Sequence, residues 1–282
     1  MTSELVPLSA AEKRRFAEIK KACPVKCKHV QQNVTSLADY FAAIGGIVSS
    51  VDIFWFRGQP ESNRSLTPAA LRPQTVSSRQ AALDLISDFK RIAEAKLPRL
   101  PDADDEFKWA QIAQHYGLPT RLLDWTESAT TALYFACLKP VLDGIVFVIN
   151  PTTLNRRGDL SQPRILDPQT DRALILKYLR WGAREGKKGS YPIAVNPVWG
   201  SERIIAQRGT FTLHGSMFSL DRASEDEHED VPSLVAIPIL HESKTRLRAE
   251  LRRVGVDEMT LFPELEHSCR HLKMCKGLME FD

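Results

Sequence analysis

The run Gly144-Ile145-Val146-Phe147-Val148-Ile149 has no polar side chain, and four of its six residues are β-branched. A short, continuously apolar, β-branched stretch of this kind reads as a central strand, which commits the chain to a sheet with partners on both of that strand's edges. Further strands are expected at Val51–Phe56, Ile193–Asn196, Arg203–Gln207, Thr210–Leu213 and Leu234–Ile239, with a short extended piece at Arg121–Trp125. Helices are expected over 10–22, where Ser9 and Glu12 fit a capping box, and from near Ser36 to Gly45-Gly46. Others are expected over 78–96, ended by Pro98 and Pro101, over 105–116 with Gly117 behind, and from Ser128 through Ala136. Pro60–Arg72 reads as loop, and 174–179, 244–254 and 263–276 as later helices. Helices cluster early and strands late, which favours an α+β fold with a mixed sheet. The economical division is a helical N-terminal extension over 1–30 and one domain over 31–282 that closes with C-terminal helices.

Composition excludes more than it selects. At 282 residues and 43% apolar content the chain can bury a substantial core. A formal charge of +3, from 38 basic and 35 acidic residues, makes no case for nucleic acid by itself, although the acidic run Glu225–Asp230 can mask a local basic groove. No apolar run of membrane-spanning length and no secretory signal layout is present, so a cytoplasmic protein without a membrane partner is expected. Five cysteines do not form a disulfide framework and are expected as free thiols. Cys23-x3-Cys27-x-His29 and Cys269-x-His271-x3-Cys275 match no common zinc spacing, so no metal site is assigned.

Polar groups set into apolar sequence mark the candidate site. Phe54-Trp55-Phe56-Arg57-Gly58 is read as a strand that delivers a guanidinium at its own end, where open sheets hold ligands. His115 and Tyr116 fall in the last turn of a helix, and Thr126 and Trp125 precede a buried helix carrying Tyr134 and Phe135. The basic helix around Arg246, Arg248, Arg252 and Arg253 has an apolar face of Leu247, Leu251 and Val254, so its charges read as a solvated side. No exposed aromatic arrangement for stacking nucleic acid is visible in the sequence.

Phe56-Arg57-Gly58, the block from His115 to Ala136, Gln207-Arg208-Gly209-Thr210-Phe211 and Leu261-Phe262-Pro263-Glu264-Leu265 together resemble the FRG-domain family, over roughly residues 30–275. That family is in turn similar in motif order to ADP-ribosyltransferases. The resemblance implies an ADP-ribosyltransferase-like β core and a bacterial toxin or anti-phage effector that transfers ADP-ribose from NAD to a macromolecule. RNA or DNA is favoured over protein as acceptor, and an antitoxin or partner protein is a further expected contact. A non-catalytic nucleotide- or partner-binding module and an NAD hydrolase are the alternative functions.

For a dinucleotide site, Arg57 offers a bidentate fork to pyrophosphate or ribose, and Gly58 a backbone that a ligand amide can approach. Tyr116, Trp125, Tyr134 and Phe135 are candidates to wall the nicotinamide, and Thr126 or Ser128 to supply a hydroxyl. The competing arrangement pairs Arg57 with Asp124 as a buried strut and leaves the aromatics in the core. His115 is a candidate general base or ribose ligand, or else a helix-ending histidine on a carbonyl; Arg121 and Asp124 are read as structural. Transfer from NAD calls for a carboxylate beside the ribosyl cation, yet the expected late-strand position holds Gln207. Glu202, Glu264 and Glu266 are alternative sources of charge, ranked below Gln207. Gln207→Glu is expected to be tolerated or activating in an enzyme and to weaken ligand affinity in a binding module.

Overall fold

The computed structural model describes residues 8–48, 52–157, 164–184, 191–221 and 234–276. In chain order the elements are α1 (Ala10–Ala22), β1 (Lys28–His29), α2 (Leu37–Gly45), β2 (Trp55–Gln59), α3 (Val76–Ala93), α4 (Glu106–His115), β3 (Leu122–Thr126), α5 (Ala129–Ala136) and β4 (Gly144–Ile149). They continue with α6 (Pro151–Arg157), α7 (Arg172–Leu179), β5 (Ile193–Val195), α8 (Glu202–Ala206), β6 (Gly209–Leu213), β7 (Leu234–Ile239), α9 (His241–Arg253), α10 (Glu258–Leu261) and α11 (Leu265–Cys275). The fold is α+β around a mixed seven-stranded sheet of order β1-β7-β4-β2-β3-β6-β5. Among the described strands only the β1–β7 pair is parallel, with one further parallel bridge at Leu166↔Val195. No helix among the described residues is long and apolar enough to cross a membrane.

The sheet is two fully paired blocks joined by a narrow seam. On one side β4 pairs with β2 from Ile145 to Ile149 and with β7 along its whole length, and all six of its residues are buried, as its continuous apolar run requires. On the other side β3 pairs with β6 from Leu122 to Thr126, and β6 with β5. Between the blocks, β2 meets β3 at the single register Phe56↔Thr126. Strand alternation sorts β4 into two cores. Val146 and Val148 join Phe56, Ala132, Leu133, Tyr40 and Leu247 beneath α2, α5 and α9, while Ile145, Phe147 and Ile149 join Trp55, Trp125, Leu123 and Leu154 on the opposite face. A third cluster sets Phe107 of α4 and Ile175 and Tyr178 of α7 against Leu122, Phe211 and Ile193.

Local chemistry fixes the helices. Ser9 and Glu12 close a reciprocal capping box on α1, Ser36 and Asp39 do the same for α2, and Ser128 accepts from the N–H of Thr131 to start α5. The helical N-terminal segment is tied to the rest of the chain: Phe16 and Ile19 pack on Leu240, Arg15 Nε donates to Asp143 Oδ2 at 2.8 Å, and β1 adds the edge strand beside β7.

Two strands expected from the sequence are corrected. The early strand spans 55–59 rather than 51–56, so Arg57 sits in its middle and not at its end; Val51 lies outside the described residues, as does the acidic run 225–230. Arg203–Gln207 is not a strand. It forms the short helix α8, capped by Gln207, and Arg208 at φ 47° turns the chain directly into β6. The β-branched pair Ile204-Ile205 carries a strand preference that the tertiary setting overrides here. β1, α6 and α10 are additional short elements that patterning did not mark.

Candidate functional site

Where β2 and β3 part, the backbone leaves a cavity of about 350 Å³, at the lower end of the range for small-molecule pockets, roughly 300–1,000 Å³. Its walls come from both blocks: Arg57 and Gly58 from β2, Asp124, Trp125 and Thr126 from β3, Gln114 and His115 from α4, Phe135 from α5, Arg203 and Gln207 from α8, Thr210 from β6, and Phe262. Elements far apart in sequence therefore converge on the seam.

Arg57 bridges that seam. Its Nη1 donates to the main-chain oxygen of Asp124 at 2.6 Å, whereas the Asp124 carboxylate lies 4.0 Å away, is 64% exposed and accepts instead from Gln114 Nε2 at 2.6 Å. The expected strut is thus to a carbonyl and not to a buried carboxylate. Arg57 Nε is buried and has no partner among the described residues, and the same is true of Thr210 Oγ1 in the same cavity. Burial, opposed by Asp124 and reinforced by Arg72, lowers the guanidinium pKa. A desolvated cation with a donor to spare gains from an incoming anion.

Other predicted residues have different duties from those expected. A Cβ on Gly58 would stand 1.8 Å from the carbonyl oxygen of Ala132 and 2.7 Å from the nitrogen of Ala136, so the absence of a side chain here is what lets α5 lie on β2. Thr126 Oγ1 donates to the carbonyl of Gln207 at 2.6 Å and accepts from Ser128 N–H at 2.9 Å. Its hydroxyl is spent on holding β3, α5 and α8 together. Trp125 is 3% exposed, with its indole N–H on Thr212 Oγ1 at 3.0 Å, and serves chiefly as core. Tyr134 is likewise core, under the Arg248 guanidinium. Phe135 does reach the cavity, edge-on to Phe262 with centroids 6.0 Å apart. Tyr116 lies outside this cavity, 61% exposed and packed on Phe89 and His115.

Gln207 lines the cavity from the end of α8, and its Nε2 donates to Leu261 O at 3.0 Å, latching α10 to α8. His115 faces a carboxylate the sequence ranking had placed lower. Its Nε2 is 3.9 Å from Glu264 Oε1, which also accepts from Arg203 Nε at 2.8 Å, while Glu264 Oε2 is buried without a partner among the described residues. Burial and then Arg203 push the His115 pKa below its ordinary value, with Glu264 pulling the other way. For Glu264 burial acts upward, but the Arg203 hydrogen bond and the nearby charges leave the carboxyl below its usual range. Arg203 also lies over the Phe262 ring, 5.2 Å from its centroid. The sequence signals for these residues were Glu264 in the late Leu-Phe-Pro-Glu-Leu motif and Arg203 in a segment taken for a strand.

Behind the site, Arg121 is 2% exposed and donates only to carbonyls: His214 O at 3.2 Å, Gly215 O at 2.9 Å, Gly182 O at 2.8 Å, and Trp181 O. Burial pulls its pKa down to about 10. This guanidinium gathers two loops behind β3, in keeping with a structural role. Neither Cys/His segment contributes to a cluster of possible metal ligands among the described residues; Asp143, His241 and Glu242 do group together, but Arg15 already pairs with Asp143 there.

Residues 52–143 match the family model of the FRG domain. The chain carries an FRG domain. In the structure the FRG match runs from just before β2 to the residue preceding β4, and so supplies Arg57, Asp124, His115 and Phe135 to the cavity. Gln207, Arg203, Thr210 and Phe262 come to the FRG-domain site from beyond the matched segment. Comparison with curated proteins gave no match, and none of the solved structures compared matches either.

Proposed function

We propose that the seam cavity binds a phosphate-bearing nucleotide, NAD first, and that the protein is an ADP-ribosyltransferase-like effector acting on a macromolecule in the cytoplasm. The observation that carries this reading is Arg57: a buried guanidinium between the two sheet blocks, with one N–H unpartnered and a second polar orphan, Thr210 Oγ1, in the same cavity. Such a fork suits a pyrophosphate oxygen, and Phe135 and Phe262 offer apolar ring surface to a base or nicotinamide. In the proposed transfer the bond between nicotinamide and the ribose anomeric carbon breaks, and an acceptor oxygen or nitrogen bonds to that carbon and gives up its proton. His115, held below its ordinary pKa, is the neutral base assigned to that proton. Glu264, 3.9 Å from His115, supplies the negative charge that Gln207 lacks. An effector role in anti-phage defence, held in check by a partner protein, is the biological setting of the same proposal.

A second reading, a nucleotide-binding module without turnover, is favoured by a separate observation. The Gln207 amide and the Thr126 hydroxyl, two groups a transferase would aim at the ribose, are already committed to protein carbonyls. Calorimetric NAD titration together with a nicotinamide-release assay, in the presence of nucleic-acid and protein acceptors, decides between them. Binding with release, both lost in Arg57→Ala, supports the transferase; binding without release supports the module. Absence of binding by the wild-type protein would defeat both readings.

A further inference from the structure

We propose that a second groove, opening beside the seam cavity, is a docking track for single-stranded nucleic acid. This groove, of about 530 Å³, lies between the segment 97–99 that follows α3, the Lys108–His115 side of α4 and the loop entering α8. It shares Gln111, His115, Arg203 and Ile204 with the seam cavity, so a strand lying in it would pass the proposed reacting end of the site.

The groove pairs two features that single-stranded nucleic acid uses together, stacking rings and a basic track. The first is exposed aromatic surface: Trp199 is 62% exposed and Tyr116 is 61% exposed, and both line the groove. Unpaired bases stack on such rings, whereas paired bases present no free face. The second is cationic charge: Arg99 and Lys108 line the same groove and, among the described residues, pair with no carboxylate. Its two carboxylates are Glu202 and Glu264, and Glu264 pairs with Arg203, which lines the same groove. The positions follow from local structure, because Lys108, Gln111, Ile112 and His115 fall on one side of α4 by helical spacing. The sequence conceals this arrangement, since Tyr116 and Trp199 are 83 residues apart.

The inference deepens the transferase reading by naming the acceptor class, and rests on that reading only for the transfer step; binding itself requires no NAD. The test is fluorescence anisotropy without NAD, using a labelled oligothymidylate of about twelve nucleotides, a size within the usual range for single-strand sites. A duplex of equal length and an oligoglutamate peptide serve as competitors. Single strand is expected to bind more tightly than duplex, with affinity falling as salt rises. Trp199→Ala is expected to weaken it about tenfold, Trp199→Phe to stay within about threefold of wild type, and Lys108→Glu to weaken it and flatten the salt dependence. Arg57→Ala is expected to bind the strand as wild type does while failing to bind NAD, which separates this proposal from the previous one. Equal affinity for duplex or peptide, equal losses in Trp199→Ala and Trp199→Phe, or unchanged binding in both Trp199→Ala and Lys108→Glu would overturn it.

Discussion

Arg57 Nη1 and the main-chain oxygen of Asp124 lie 2.6 Å apart across the one place where the two blocks of the sheet separate. The contact is charge-assisted on the donor side only, and Arg57 Nε stays buried without a partner among the described residues. Removing the guanidinium thus frees a carbonyl next to an open cavity rather than stranding a buried carboxylate.

For that reason Arg57→Ala is expected to cost only about 1.5–3 kcal/mol of stability, the range for one hydrogen bond to a charged group, while nucleotide binding is lost. Urea unfolding and calorimetric titration measure the two effects. A much larger loss of stability would make Arg57 a strut first.

Gly58→Ala should behave in the opposite way. The new Cβ meets the backbone of α5 at Ala132 and Ala136, which cannot yield as a side chain tip can. About 3 kcal/mol or more of destabilisation is expected, with α5 displaced from β2. Chemical denaturation gives the magnitude, and a wild-type unfolding midpoint would contradict the packing role.

Gln207→Glu replaces a donor with a charged acceptor facing Leu261 O. The sequence alone suggested tolerance or activation in an enzyme and weakened ligand affinity in a binding module; the latch adds a loss of about 1–3 kcal/mol of stability and faster hydrogen exchange over α10 and α11. Exchange protection equal to wild type would mean that the latch is dispensable.

His214 sets an acid limit. It is fully buried, its Nδ1 faces Phe218 O at 3.0 Å and its Nε2 faces Thr212 Oγ1 at 2.9 Å, and burial pushes its pKa down to about 3. The unfolded chain titrates near 6.5, so between those values it binds the proton more readily than the folded protein does. Stability is therefore full above about pH 6.5 and declines as pH falls toward 3, by on the order of 4 kcal/mol for this group. His29, pushed down to about 4, adds to the same slope. Urea midpoints between pH 7 and 4 should fall less steeply in His214→Gln, which keeps a donor and an acceptor but does not titrate.

Much of the scaffold was legible because its determinants are local. The Ser9/Glu12 box, Ser128 before α5, Gly117 at φ 86° and the apolar run of β4 each act within a few residues. Of the five residues whose motif order suggested one cleft, Arg57, His115, Thr126 and Gln207 line the cavity and Tyr116 does not, and their duties were not legible. Whether Thr126 meets a ribose or a carbonyl depends on Gln207, 81 residues later, and whether Gly58 serves a ligand or a helix depends on where α5 comes to rest. Glu264 was ranked low because an acid after proline at a helix start is usually there for the helix dipole; only the tertiary fold puts His115 and Arg203 against it.

The narrow seam also bears on where the fold's self-sufficiency lies. Residues 52–143 contain β2 and β3, which share one register, while the full-length partners of those strands, β4 and β6, both lie beyond residue 143. A fragment cut to the matched segment would hold two strands with their paired edges stripped and α5 without the β4 and α9 side of its core. The segment that carries the family signature is therefore the joint of the molecule and not a module of it, and grafting it into another chain would transplant the motif without the sheet that gives Arg57 its place.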